Sequence, residues 1–437
     1  MVPYEADILL GIWEYAISLR LRDYIQKNRH VAVVADFTDR IDLSVFFLQT
    51  RIAYLIAAVS AFCAFFELRL RSSGRFFCFL RKEAEARVIA SHLLRLFRKN
   101  GLPIHLVYHC TYRCNSRCKN CFLRDYLLPE ESRTPEGRVE LELGELERLR
   151  NSLGNILWLQ IGGGEPFLRE DIVEICKIFR KTDTITISTN CINSELIGSK
   201  VKEILENIDS KLLLALSLDG IGDNHDALRG TKGNFDAVLD TYRRVEGLRN
   251  AHNNFSVSIN TVIMPENEKE LSSIADYART NLHLDMHSFE FMRGKPSPAF
   301  PDLMNFQSIS DSFSTARKTI DYYDYKKGWR GRLLKKAKLY EHDLLVKTMR
   351  DRRKQIDCYA GRMSVTMNPY GDVFACELVN DSIGNIRDYD YDFEKLWLSK
   401  KAQEIKHKLK DCFCAHSCFY LINSLFNPVL TPDILAK

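Results

Sequence analysis

The sequence has little charge imbalance. Lys and Arg number 62 against 57 Asp and Glu, leaving +5 over 437 residues, too mild an excess to announce a nucleic-acid partner. It has no internal repeat, no low-complexity tract and no recognisable secretory signal peptide, and its thirteen cysteines are an odd number. A secreted scaffold of fully paired disulfides is therefore not expected, and thiolates that bind metal in a reducing, cytoplasmic setting become the leading reading. An uninterrupted apolar run of the ~20 residues needed to span a bilayer is also missing. The stretch from Ile52 to Phe66 carries no charge but is shorter than that, and extending it back to Val45 includes Gln49 and Arg51. What is present, 46% hydrophobic and 27% charged residues, is ordinary for a globular chain. The length suits one large domain with one or two smaller ones.

The first hundred residues read as a helical N-terminal extension, with helical patterns at Ile8 to Gln26 and Glu83 to Lys99 flanking the apolar stretch. Basic residues follow at Arg69, Arg71, Arg75, Arg81 and Lys82, which the positive-inside rule would hold in the cytoplasm. Two readings stay open: a buried helix covering a later domain, or membrane association through 45–66.

From Ile104 the rhythm changes to short apolar runs alternating with amphipathic helical patterns, as expected of βα units around a parallel sheet. The expected strands are Ile104 to Cys110, Ile156 to Ile161, Thr184 to Thr189, Leu212 to Leu218, Phe255 to Ile263 and His287 to Met292. Helices are expected at Leu143 to Leu153, Asp171 to Arg180, Leu196 to Ile208, Phe235 to Leu248 and Glu268 to Arg279. Six such units over 101–296 predict an α/β fold, a partial (β/α)6 TIM-like barrel, whose chemistry belongs at the C-terminal ends of the strands. A helical linker over 297–354, a compact cysteine-bearing region over 355–420 and a tail over 421–437 complete the chain. The basic run Lys326 to Lys338 reads as a solvated helix face, or as a surface for an anionic substrate or phospholipid.

The first expected strand runs into Cys114, Cys118 and Cys121, spaced by three and then two residues. Such spacing lets thiolates converge on one iron-sulfur centre, and three ligands leave one iron of a cubane open. A zinc knuckle is the alternative, but closed zinc sites take four protein ligands and no His lies in the loop. Cys110 falls four residues before Cys114 and reads as a strand residue; Cys63, Cys78, Cys176 and Cys191 read as small core residues. The second expected strand ends in Gly162-Gly163-Gly164-Glu165-Pro166, where glycines permit close backbone approach to a ligand or simply a tight turn.

The cysteine loop, preceded by Thr111-Tyr112-Arg113 and followed by Phe122, resembles that of the radical S-adenosylmethionine (SAM) enzymes. The resemblance implies a SAM-binding 4Fe-4S cluster on Cys114, Cys118 and Cys121. It implies that Gly163, Gly164, Glu165 and Pro166 meet the methionine amino group, with the Glu165 carboxylate as a charged partner for it. Ser188 and Asn190 after the third strand, and Ser217 and Asp219 after the fourth, would reach the ribose. Arg229 would pair with the methionine carboxylate, which its guanidinium fork suits. Asn120 stands where the family commonly has an aromatic residue or His facing adenine, and Phe122 is the substitute for that packing. Asn260-Thr261 rank lower, and Arg293-Gly294-Lys295 could face substrate.

Cys358 and Cys376 flank Gly371, and Cys412, Cys414 and Cys418 follow, giving five thiols for a four-thiolate site. The Cys-x12-Gly-x4-Cys spacing and Gly384-Asn385-Ile386 resemble a SPASM or Twitch auxiliary-cluster domain. Five cysteines are too few for the two clusters of a full SPASM domain, so one auxiliary 4Fe-4S cluster is expected, with tetrathiolate zinc as the alternative. The resemblance further implies an electron donor such as flavodoxin or ferredoxin and a 5′-deoxyadenosyl radical that abstracts hydrogen from a peptide or small-molecule substrate. A noncatalytic iron-sulfur or zinc protein for electron transfer or partner binding is the competing class. No residue identifies itself as a general base.

Overall fold

The computed structural model describes residues 101–427 apart from 130–136, 155, 293–305, 326–328, 413 and 415. The chain divides into compact units at 1–90 and 91–437. The expectations for the helical extension and its apolar stretch, for Arg293-Gly294-Lys295 and for the end of the tail lie outside the described residues. Among the described residues no helix is long and apolar enough to cross a membrane.

Six strands follow one another in the parallel order expected of successive βα units: β1 His105–Thr111, β2 Trp158–Gly163, β3 Thr184–Thr189, β4 Lys211–Ser217, β5 Phe255–Ile263 and β6 Met286–Phe291. The sheet is open, as a partial barrel requires. It also continues past β1. Strand β7 (Ser364–Met367) pairs in parallel with the free edge of β1, and β8 (Asp372–Phe374) and β9 (Ser382–Asn385) add to it antiparallel. The C-terminal cysteine-bearing segment thus shares hydrogen bonds with the barrel's first strand, which covers an edge that would otherwise be unpaired.

The helices α1 Leu143–Leu153, α2 Ile172–Ile178, α3 Ser194–Asn207, α5 Asn234–Glu246 and α6 Leu271–Asn281 lie close to the expected spans. A short helix, α4 Asp223–Arg229, was not expected, and it carries the Arg229 side chain. The 297–354 segment holds two helices, α7 Phe306–Tyr322 and α8 Trp329–Asp351. After β9 come α9 Phe393–Trp397, α10 Lys400–Lys408 and α11 Ser417–Phe426.

Parallel strands covered on both faces are usually apolar throughout. Here the two faces differ. Ile161, Ile187, Leu214, Leu216, Val257 and Ile259 are fully buried in the core shared with the helices, each contributing about 1.5–3 kcal/mol of burial. Between them, Gln160, Ser188, Ser217, Asn260 and Glu290 occupy alternate, only partly buried positions. Registry sets Gln160 beside Thr186, Ser217 beside Asn260, and Asn260 beside Ser288. Laterally paired residues share a face, so the open side of the barrel is a largely polar wall, interrupted by Val107 of β1 and by Leu213 and Ala215 of β4.

Candidate functional site

The cysteine loop leaves β1 and is clamped from two sides. On one side, the Gly164 and Glu165 amides donate to the carbonyls of Thr111 (2.8 Å) and Arg113 (2.9 Å). Gly163 has φ +113, and a β-carbon on it would collide with the Thr111 carbonyl oxygen, as one on Gly164 would with that of Arg113. This close approach is why glycine is required at both positions. On the other side, the Arg117 and Lys119 amides donate to the carbonyls of Arg229 (3.3 Å) and Leu228 (2.9 Å). Ser116 Oγ donates to the Arg229 carbonyl at 2.8 Å and lies 3.1 Å from Cys118 Sγ. Two segments distant in sequence therefore fix the loop that carries the thiols.

Burial favours the neutral form of the loop's thiols. Burial pushes the Cys114 thiol up to about 12, and the Ser116 amide partly offsets this. Cys121 is also raised by burial, with the Leu123 amide opposing. Cys118 and Cys121 each add to the shift of Cys114, so the three groups face one another electrostatically. A buried thiol is held as the ligating thiolate when metal compensates its charge. The same pattern recurs in the second group. Cys358 is raised by burial and accepts the Ala360 amide at 3.4 Å. Cys376 is pushed well above its ordinary value by burial and then by Cys414, and accepts the Leu378 amide at 3.5 Å. Cys412 is raised by burial and by Cys358. Cys358, Cys376, Cys412 and Cys414 thus share one neighbourhood, while Cys418 lies on α11 and its side chain is outside the described residues. Among the described residues no three such groups close around a single ion. Amide-supported thiols spread around a shared space fit a multi-iron cluster.

Several expected SAM-contacting groups are already engaged with protein. Glu165 is buried, and its Oε2 accepts the Asn190 amide at 2.7 Å while Oε1 accepts Thr189 Oγ (2.9 Å) and the Phe167 amide (3.2 Å). Burial pushes its carboxyl up to about 7, with those donors opposing. It therefore ties the end of β2 to the end of β3 and caps the turn that opens at Pro166. Asp219, expected at the ribose, is also fully buried; it accepts the Val262 amide at 2.8 Å and pairs with Arg229 at 3.0 Å. Buried charges need such partners. Arg229 thus has a resident carboxylate, and its Nε is left buried without a partner.

Asn120 reaches across from the cysteine loop to Asp219 at 3.4 Å. Phe122 packs toward His109, with ring centroids 6.3 Å apart. Asn190 donates to Asn115 within the cysteine loop at 2.8 Å. Ser188 and Ser217 lie on the polar wall, as does Asn260, whose Oδ1 is buried without a partner. Cys110 faces the opposite way, in the helix-covered core, its thiol raised to about 12 by burial.

Other residues of this region escaped the sequence reading. Asn234 donates to the Asn190 carbonyl (2.8 Å) and Asn267 to that of Asp219 (2.8 Å). Neither neighbours a recognisable motif. His109, Glu377 and His416 also meet here, and their one sequence signal is that Glu377 follows Cys376 and His416 falls between Cys414 and Cys418.

Fold and site together define an iron-sulfur protein built on a partial parallel barrel. Residues 108–278 match the Radical SAM superfamily and residues 358–419 match the SPASM iron-sulfur cluster-binding domain. The chain carries a radical SAM domain over residues 108–278 and a SPASM domain over residues 358–419. The family's cofactors are a 4Fe-4S cluster and SAM, with auxiliary iron-sulfur binding in the second region. The chain is 25% identical over 332 residues to the antilisterial bacteriocin subtilosin biosynthesis protein AlbA of Bacillus subtilis, covering 71% of this chain and 65% of AlbA. It is 32% identical over 201 residues to Fe-coproporphyrin III synthase of Methanosarcina barkeri, covering 45% of this chain and 46% of that enzyme. It is 28% identical over 282 residues to the mycofactocin maturase MftC of Mycolicibacterium smegmatis, covering 63% of this chain and 64% of MftC. The chain therefore spans less than two thirds of each of these three relatives.

Proposed function

We propose that this chain is a radical SAM enzyme that modifies a peptide. Bound at Cys114, Cys118 and Cys121, the cluster would supply the electron that cleaves SAM to a 5′-deoxyadenosyl radical, which takes hydrogen from substrate. The observation that carries this reading is the pair of buried polar atoms without protein partners, Arg229 Nε beside the cysteine loop and Asn260 Oδ1 on β5. An unpaired buried donor or acceptor costs about 1–3 kcal/mol, so these atoms call for a polar ligand. Arg229 Nε offers a donor for the methionine carboxylate, while Asp219 holds the rest of the guanidinium in place. Gly163 and Gly164 bring backbone close to the loop, where the amino group would bind. Ser188, Ser217 and Asn260 offer hydrogen-bonding groups for the nucleoside along the polar wall.

The peptide substrate is supported by the bacteriocin biosynthesis protein and the maturase among the relatives. A flavodoxin- or ferredoxin-type donor would deliver the electron. Cys358 and Cys376, with two of Cys412, Cys414 and Cys418, would hold one auxiliary cluster. Anaerobic reconstitution with iron, sulfide, SAM and dithionite tests the proposal by assay of 5′-deoxyadenosine, with and without candidate peptides. Formation that is abolished by Cys118→Ala supports it. A fully reconstituted chain that yields none under any of these conditions would favour a noncatalytic iron-sulfur role.

A further inference from the structure

We infer that Glu377 is a positioning residue that locks the auxiliary-cluster segment to the first barrel strand. Its carboxylate lies between two imidazoles from opposite ends of the described chain. Oε1 is 3.0 Å from His109 Nε2 and Oε2 is 2.8 Å from His416 Nε2. The Glu377 and His109 side chains are each 5% exposed and that of His416 is 0% exposed, so the three are sealed from solvent.

The places of these residues in the chain give the bridge its meaning. Glu377 directly follows Cys376, and His416 stands between Cys414 and Cys418. His109 lies on β1 five residues before Cys114, and registry with Gly162 turns it toward the polar wall. Its ring packs against Phe122, the residue after Cys121. Phe122, His109, Glu377 and His416 therefore form an unbroken series of contacts from the first cysteine group to the second. Displacing the carboxylate would strand the buried His109 Nε2, at about 1–3 kcal/mol, and take away the charged group 2.8 Å from His416 Nε2. Partners of this kind outside the ligand set fix the orientation of the ligands themselves. In this fold the bridge does so for Cys376 and Cys414 together, and registers their cluster against the barrel mouth.

The inference rests on assigning an iron-sulfur cluster to 358–419, and the test separates the two. The full chain with Cys114→Ala, Cys118→Ala and Cys121→Ala, reconstituted anaerobically, retains only the auxiliary site. Absence of iron there would overturn the cluster assignment itself. With iron present, adding Glu377→Ala is expected to change the electron paramagnetic resonance spectrum of the reduced cluster and to speed iron loss to a chelator about tenfold. Glu377→Gln, which can still accept from one imidazole and donate to the other, should restore the parent spectrum and rate. A parent-like Glu377→Ala, or a Glu377→Gln as damaged as Glu377→Ala, would overturn the bridge. If Glu377→Ala does not fold, His109→Phe removes one arm while filling its volume, and an unchanged spectrum in that variant would overturn the inference equally.

Discussion

Gly164 and Arg113 approach so closely that no side chain fits between them: a β-carbon on Gly164 would collide with the Arg113 carbonyl oxygen. The contact presses the glycine loop of β2 onto the cysteine loop of β1. Gly164→Ala should therefore cost about 2–4 kcal/mol and strip iron from the first site, as read by iron content and urea unfolding. Gly162→Ala is the control, since a β-carbon there meets nothing within 4 Å, and it should retain iron with stability changed by no more than about 0.5 kcal/mol.

The Asp219–Arg229 pair is buried at 3.0 Å and joins the end of β4 to α4. Arg229→Met would leave the Asp219 carboxylate uncompensated, at about 3–5 kcal/mol. Calorimetric titration of the reconstituted chain with SAM should show binding lost. Arg229→Lys keeps a charge but not the fork and should weaken SAM binding at least about tenfold while restoring part of the stability. Parent-like SAM affinity in both variants would remove Arg229 from the carboxylate site.

Glu341, buried on α8 and 2.9 Å from Lys338, has its carboxyl pushed up to about 7, chiefly by burial, against an ordinary value of 4.5. The folded chain then binds a proton over a pH range where the unfolded chain has released it, so this group lowers stability as pH rises. Its penalty is absent below about 4.5 and complete above about 7. Urea unfolding between those limits should show the decline, and Glu341→Gln should flatten that part of the profile. An identical slope in the variant would exclude Glu341 as its source.

Cys110 stands four residues before Cys114 yet faces the helix-covered core. Cys110→Ala should cost about 1 kcal/mol in lost packing and leave the iron content and spectrum of the first site unchanged. Loss of that cluster would show Cys110 to be a ligand after all.

The two cysteine groups, the glycine motif and the succession of βα units were legible because each depends on local spacing. Three thiols within eight residues converge on almost any loop, and alternating apolar runs of strand length pair in order when short helices join them. The occupation of the polar groups was not legible. Thr189 and Asn190 hold the Glu165 carboxylate, and α4 folds Arg229 onto Asp219, contacts that no local pattern signals. Strand β7 escaped notice because four residues carry too short a pattern to count.

The sequence by itself determined which residues can ligate iron and in what order the barrel strands follow, since both are encoded within segments of a few to about thirty residues. Only the tertiary structure decided that β7 joins β1, that His109 meets Glu377 across 268 positions of sequence, and that one nitrogen of Arg229 is left over for a ligand. Those outcomes depend on burial, because a polar group enclosed by the fold must take whatever partner the packing brings to it, however far away in the chain that partner lies.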